Sequence, residues 1–267
     1  MTAIVTLLTD FGLRDTYAGV LRGVILSVTP QARVVDLCHQ VPAQDVQAGA
    51  FLLMTSYAAF PPGTVHLAVV DPGVGTARRI VAVEAGGHTF VGPDNGVLAW
   101  AVAAAGGLER AAAVADRRYW RGGGQARISA TFHGRDIMAP VAAHLAAGLP
   151  LAEVGPAIDR IAGEPFPVPC EAGGGLLGQV VYVDHFGNCV SNIPESALAG
   201  GARMSVLAGG REIPVLRTYG ETPPGVALAL AGSAGLLEVA VANGSAAATL
   251  GLAPGDRLTL TQDAANE

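Results

Sequence analysis

Four short polar clusters stand out in an otherwise apolar chain: Thr9 to Gly12 (TDFG), Val69 to Arg79 (VVDPGVGTARR), Thr131 to Asp136 (TFHGRD) and Val183 to Ile193 (VDHFGNCVSNI). Each of the first three sets an acid, an arginine or a histidine beside glycine. In the second, Pro72, Gly73 and Gly75 force a tight loop that can return Arg78 to Asp71. Such a pair keeps the acid ionised, orients it and leaves guanidinium donors for a water or an anion. The plainer reading is an Asp-Pro turn with solvated Arg78 and Arg79. His133 is suited to exchange a proton near neutral pH; a satisfied structural histidine, with Asp136 capping the next helix, is its alternative. Asp10 can accept from a ribose diol, hold a metal or cap its own loop. Asp184, Phe186 and Asn188 combine an acid, an aromatic face and an amide, which suit a heteroaromatic base or an amino-acid head, although Phe186 equally suits a core. Tyr219 and Ser233, the latter in the run GSAGLLEVAVANG from Gly232 to Gly244, add an aromatic and a hydroxyl in apolar surroundings.

The elements that must position these groups alternate. Ala3 to Leu8 reads as a buried strand, and Tyr17, Val20, Leu21, Val24, Ile25 and Val28 recur at helical spacing behind Asp15, a candidate N-cap. Arg33 to Leu37 is a second strand, followed by an amphipathic run behind Asp45. Thr64 to Val70 and Ile80 to Glu84 are strand-like, and Gly96 to Ala105 and Ile137 to Ala147 are helix-like. This βαβ rhythm predicts a mostly parallel sheet covered by helices, with ligands at the carboxyl ends of its strands. From Gly163 to Gly178 the texture changes, through EPFPVPCEAGGGLLG, whose prolines and glycines mark a boundary. We therefore expect an α/β domain over residues 1–165, a Pro/Gly-rich linker over 166–175 and a smaller β domain over 176–267. The strands expected there are Gln179 to Val183, Met204 to Leu207, Glu212 to Leu216, Val226 to Leu230, Leu236 to Val241 and Arg257 to Thr261, which close naturally as an antiparallel barrel or sandwich.

Composition narrows the classes. Hydrophobic residues make up 51% of the 267 and charged ones 14%, which argues against disorder and fits a soluble oligomer. A net charge of −6 gives no footprint for nucleic acid or an anionic membrane. All 16 basic residues are arginine, which excludes a Schiff-base lysine and a GxxxxGK[ST] phosphate loop. Cys38, Cys170 and Cys189 lack CxxC spacing and suggest neither a disulfide framework nor a zinc site. The amino terminus has no basic n-region, and no apolar stretch approaches membrane-spanning length, so a soluble, cytoplasmic protein is expected.

Together and in this order, TDFG, DPGVGTARR, FHGRD and HFGN resemble the S-adenosylmethionine hydroxide adenosyltransferases, or SAM hydrolases, whose relatives include nucleophilic fluorinases and chlorinases. The resemblance extends to the terminal GLAPGD and so covers nearly the whole chain. It implies an N-terminal α/β/α domain, a C-terminal β-barrel and a homotrimer with sites between one subunit's first domain and a neighbour's second. It also implies that Asp71, Arg78 and His133 position and activate water, that Asp10 binds ribose, and that Asn188 and Ser233 contact the adenine or methionine portion. Asp184, Tyr219, Glu238 and the backbone near Val241 match binding positions more loosely, and Asn95 is a further candidate for the pocket. The implied reaction is in-line attack of water on ribose C5′ of S-adenosylmethionine, giving adenosine and L-methionine with no metal or redox cofactor. A preference for the (R)-sulfonium epimer is implied as well. The halogenases carry other residues at the positions of Asp71, Val74 and Gly134, which speaks against halide transfer.

Competing readings remain open at this level. A metal-dependent phosphohydrolase could use Asp10, Asp36, Asp71, His133 and Asp136, although their spacing matches no metal motif. A non-catalytic adenosine- or S-adenosylmethionine-binding protein predicts binding without product, and a halogenase predicts a halogenated nucleoside.

Overall fold

Val5 to Thr9 are all buried, as a strand flanked by neighbours and covered on both faces requires. In the computed structural model, which describes residues 3–199 and 204–262, this strand, β1 (Ile4–Thr9), lies inside a six-stranded sheet. The chain forms two compact units, Met1–Pro165 and Phe166–Glu267.

The first unit contains α1 (Tyr17–Val28), β2 (Arg33–Cys38), α2 (Val46–Ser56), β3 (Val65–Val69), β4 (Ile80–Ala85), β5 (His88–Pro93), α3 (Ala99–Ala104), β6 (Arg110–Ala113) and α4 (Ala139–Ala146). The strand order is β2-β1-β3-β5-β4-β6. The first four strands are parallel, whereas β4 pairs antiparallel with both β5 and β6. Leu21 and Ile25 of α1 and Val141 to Ala143 of α4 share a core with Val5, Leu7, Leu67 and Val69. α2 pairs with α3 and packs on β1.

Local chemistry sets several boundaries. The Asp45 carboxylate accepts from Ala48 N at 2.9 Å, the expected N-cap of α2. At α1, Thr16 rather than Asp15 precedes the first helical residue, and it makes no side-chain cap. Asp15 lies one residue too early, because the first helical bond runs from Val20 N to the Thr16 carbonyl. α3 begins later than Gly96, because Asn95 Oδ1 holds Val97 N in a turn.

The second unit contains β7 (Cys170–Ala172), β8 (Gly175–Val183), β9 (Cys189–Pro194), β10 (Met204–Ala208), β11 (Arg211–Pro214), β12 (Ala227–Ala231), β13 (Leu236–Val241), α5 (Ala246–Leu250) and β14 (Arg257–Gln262). The antiparallel order is β11-β10-β14-β8-β9-β13-β12, with β7 added on β8. Leu216 N donates to the Ala229 carbonyl at 2.8 Å, which brings the two ends of that path together into a nearly closed barrel. Val180, Ile193, Val206, Leu237, Val239 and Leu258 fill its core. Part of the stretch read as linker is thus a strand, β7. Gly175 opens β8 because a Cβ there would fall 2.5 Å from the Leu260 carbonyl oxygen. Among the described residues, no helix is long and apolar enough to cross a membrane.

Candidate active site

β1 and β3 are parallel and in register, Thr9 opposite Val69. Asp10 and the Val70–Asp71 pair therefore leave the same carboxyl edge of the sheet as neighbours, where open α/β sheets bind ligands. Asn95 Nδ2 donates to the Val70 carbonyl at 2.9 Å, fixing the residue just before Asp71. Val74 N then donates to the Asp71 carbonyl and Thr76 N to the Gly73 carbonyl, each at 3.1 Å, which turns the chain back. Arg78 consequently returns to Asp71. Its Nε donates to Oδ1 at 2.8 Å, and Nη2 donates to Oδ2 in a bidentate pair with both side chains largely buried.

Arg78 Nη2 also lies 3.0 Å from His133 Nδ1. A guanidinium can only donate, so Nδ1 accepts and the imidazole is neutral with its proton on Nε2. Burial and the Arg78 charge push the His133 pKa below its usual value, while the Asp71 and Asp136 charges oppose them. His133 precedes a π-helical turn, Gly134–Met138, that runs into α4. Such insertions recur where a helix re-aims a functional side chain. Asp136 does not cap this helix. It is fully buried, and its carboxylate accepts from Arg121 Nη1 at 2.8 Å, Arg135 Nε at 2.7 Å and Nη2 at 2.8 Å, and Ser129 N at 2.8 Å. Burial alone would raise its pKa, but the hydrogen bonds from Arg135, Ser129 and Arg121 hold it at about 2.

Asp71 and His133 open onto a cleft of about 270 Å³, lined also by Asp10, Phe11, Gln44 and Val74. Gln44 N donates to Asp10 Oδ2 at 2.8 Å and orients that carboxylate. Phe11, Tyr17 and Phe132 meet edge to face with centroids 5.3–5.9 Å apart. With Asp71 paired to Arg78 and His133 neutral, the Asp10 carboxylate leaves this cleft with one net negative charge, which favours a cationic ligand. Gln44, Thr131 and Phe132 were not singled out as site residues. Thr131 and Phe132 lie inside the TFHGRD motif, which carries a signal for them, whereas Gln44 arrives from the loop between β2 and α2 with no local signal. Asn95 does not line the cleft; its side chain serves the backbone on both sides.

The second unit carries its own polar cluster. Asp184 Oδ1 accepts from Phe186 N at 2.9 Å and Asn188 N at 2.8 Å, and Oδ2 accepts from Asn188 Nδ2 at 3.0 Å. This loop leaves Phe186 72% exposed, so it is not a core residue. Tyr219 donates its hydroxyl to Glu238 Oε1 at 2.5 Å. Burial and the Asp184 charge raise the Glu238 pKa against that hydrogen bond, and burial together with the Glu238 contact raises Tyr219. Asp184, Asn188, Tyr219 and Glu238 thus belong to one neighbourhood. Ser233 sits on the exposed turn between β12 and β13, and Val241 ends β13 with its carbonyl accepting from Gly244 N at 3.0 Å. Among the described residues, no three His, Cys, Asp or Glu side chains converge as a metal site.

Comparison with known proteins gives the family. Models of the SAM hydroxide adenosyltransferase N-terminal and C-terminal domains match residues 5–155 and 178–259. The chain belongs to the SAM hydroxide adenosyltransferase family. It is 45% identical to the (R)-S-adenosyl-L-methionine hydrolase of Salinispora tropica over 97% of this chain and 98% of that protein. A fluorinase of Actinoplanes sp. is more distant, 31% identical over 73% of each chain. The crystal structure of a conserved Thermotoga maritima protein superposes with a TM-score of 0.88 at 35% identity, covering 97% of this chain and all of that one.

Proposed function

We propose that this protein hydrolyses S-adenosylmethionine to adenosine and L-methionine, with preference for the (R)-sulfonium epimer. The observation that carries the proposal is the Asp71–Arg78–His133 array on the wall of an anionic cleft. The sulfonium makes ribose C5′ electrophilic. Water oxygen bonds to C5′, the C5′–S bond breaks with its electron pair going to sulfur, and methionine leaves as a neutral thioether. The Asp10 carboxylate holds the ribose hydroxyls, and Asn188, Ser233, Asp184, Tyr219, Glu238 and the Val241 backbone serve the adenine or methionine portions.

Water is a poor nucleophile, so alignment and a place for its proton matter most. His133 Nδ1 is occupied by Arg78 and Nε2 carries a hydrogen, so the imidazole donates toward the cleft and does not accept. That leaves the Asp71 carboxylate to accept a hydrogen bond from the water, aim its lone pair at C5′ and take the proton as the C–O bond forms. Arg78 fixes the carboxylate plane. A homotrimer in the cytoplasm completes the reading.

The test is to incubate the purified protein with each sulfonium epimer, with and without chloride or fluoride, and identify the nucleoside by mass. Adenosine, formed faster from the (R) epimer, is expected. A 5′-halogenated nucleoside, or tight adenosine binding without product, overturns the proposal.

A further inference from the structure

Asp136 takes no part in the proposed chemistry, although it is a fully buried carboxylate in the turn that follows His133 and receives four hydrogen bonds. We infer that Asp136 is a positioning residue: it clamps the 121–131 loop to the turn that carries His133, and so sets the two walls of the cleft against each other. The inference rests on the reading of this cleft as the hydrolytic site.

The clamp can be traced bond by bond. Arg121 reaches Asp136 from the far end of the loop, and Ser129 N reaches it from the near end. Ala130, the next residue, abuts the opposite wall, because a Cβ on Gly75 would fall 2.6 Å from its carbonyl oxygen. Thr131 follows, tied to Ser129 Oγ through its backbone N at 3.3 Å, and lines the cleft with Phe132 and His133. Arg135 binds Asp136 while its guanidinium lies 5.0 Å over the Phe132 ring. One carboxylate thereby fixes Thr131, Phe132 and His133 on one side and, through Ala130, the Gly73–Gly75 turn beside Asp71 and Val74 on the other. Packing alone would not call for this arrangement, since a buried ionic group adds little stability over an apolar residue of its size. The directionality of four hydrogen bonds is what an apolar side chain lacks.

His133 also feels the clamp electrostatically. Arg78 and Asp71 face it from the loop after β3, Asp136 acts from its own turn, and Asp10 lines the same cleft. The Asp136 charge opposes the lowering by Arg78, so its removal moves the imidazole titration to lower pH.

The experiment compares Asp136→Asn and Arg121→Gln with the wild type in the full-length protein. It reads the His133 titration by NMR, kcat and KM for adenosine release, and thermal stability. For Asp136→Asn we expect the His133 midpoint to fall and kcat to drop by about tenfold or more with KM within about threefold, since displacements near 1 Å can cost on the order of 100-fold. Arg121→Gln keeps the carboxylate, so we expect a smaller loss of kcat with the midpoint in place. If Asp136→Asn does not fold, Arg121→Gln decides: reduced kcat at wild-type stability supports the clamp, and wild-type kcat overturns it. Wild-type kcat and an unmoved midpoint in Asp136→Asn overturn it, as does a kcat loss that merely follows thermal stability and recovers in the cold. A wild-type protein that forms no adenosine would sink the hydrolase reading, and the NMR midpoints would still judge the clamp.

Discussion

Arg78 serves two partners at once, gripping both oxygens of Asp71 and reaching His133 Nδ1 at 3.0 Å with the same Nη2. Lysine has one point charge and no planar fork, so Arg78→Lys cannot hold both groups. We expect kcat for adenosine release to fall on the order of 100-fold with modest change in KM, read by steady-state kinetics. Asp71→Ala should abolish adenosine release while calorimetry still detects substrate binding; unchanged turnover would remove Asp71 from the mechanism. Because the proposed mechanism uses neutral His133 and its pKa lies below the ordinary 6.5, the acid limb of the kcat/KM profile should fall below that value. Each of Asp71, Arg78 and His133 was legible in the sequence, since each sits in a glycine-bracketed motif within an apolar chain. Which histidine nitrogen holds the proton was not legible, because it depends on an arginine 55 residues away.

At the scale of elements, strand ends announced themselves where apolar runs stopped at Asp10 and Asp71, and the register of β1 against β3 supplied the adjacency. Other elements were hidden by composition. β6 is four residues of RAAA at the sheet edge, and alanine-rich runs read more readily as helix. β9 carries buried Ser191 and Asn192, whose polarity broke the strand pattern although Ser191 Oγ donates to the Leu237 carbonyl at 2.8 Å. The π turn before α4 was likewise illegible, since it is an insertion in the hydrogen-bond ladder and not a change of periodicity. Gly75 makes the most testable contribution of a loop. Its φ of +81° and its contact with Ala130 leave no room for a side chain. Gly75→Ala should therefore cost roughly 1–3 kcal/mol of stability in chemical denaturation and lower kcat by separating the cleft walls. A variant with wild-type stability and turnover would show that the two loops are not held together.

At the scale of the molecule, the first unit buries ionisable groups that take no part in the proposed chemistry, and they tie its stability to pH. His66 is inaccessible in β3, with Nδ1 2.8 Å from Thr6 Oγ1 and Nε2 3.1 Å from His88 Nδ1, and its ring stacks on Phe90. Burial, then the neighbouring His88, lowers its pKa to about 3 from 6.5. The unfolded chain therefore binds a proton between these values that the folded chain refuses, so the contribution of His66 is complete above pH 6.5 and is lost as the pH falls toward 3. In the middle of that window a single such group changes stability by about 1.4 kcal/mol per pH unit. Burial also lowers His39, His88, His133 and His144, so they steepen the same acid limb. Denaturation of the wild type followed from pH 7 to pH 4.5 should show falling stability, and His66→Phe should have a shallower slope by about one proton, whatever its stability at neutral pH. An unchanged slope would mean that His66 is protonated within the fold, which Thr6, His88 and the surrounding aromatic rings leave no charge partner to support.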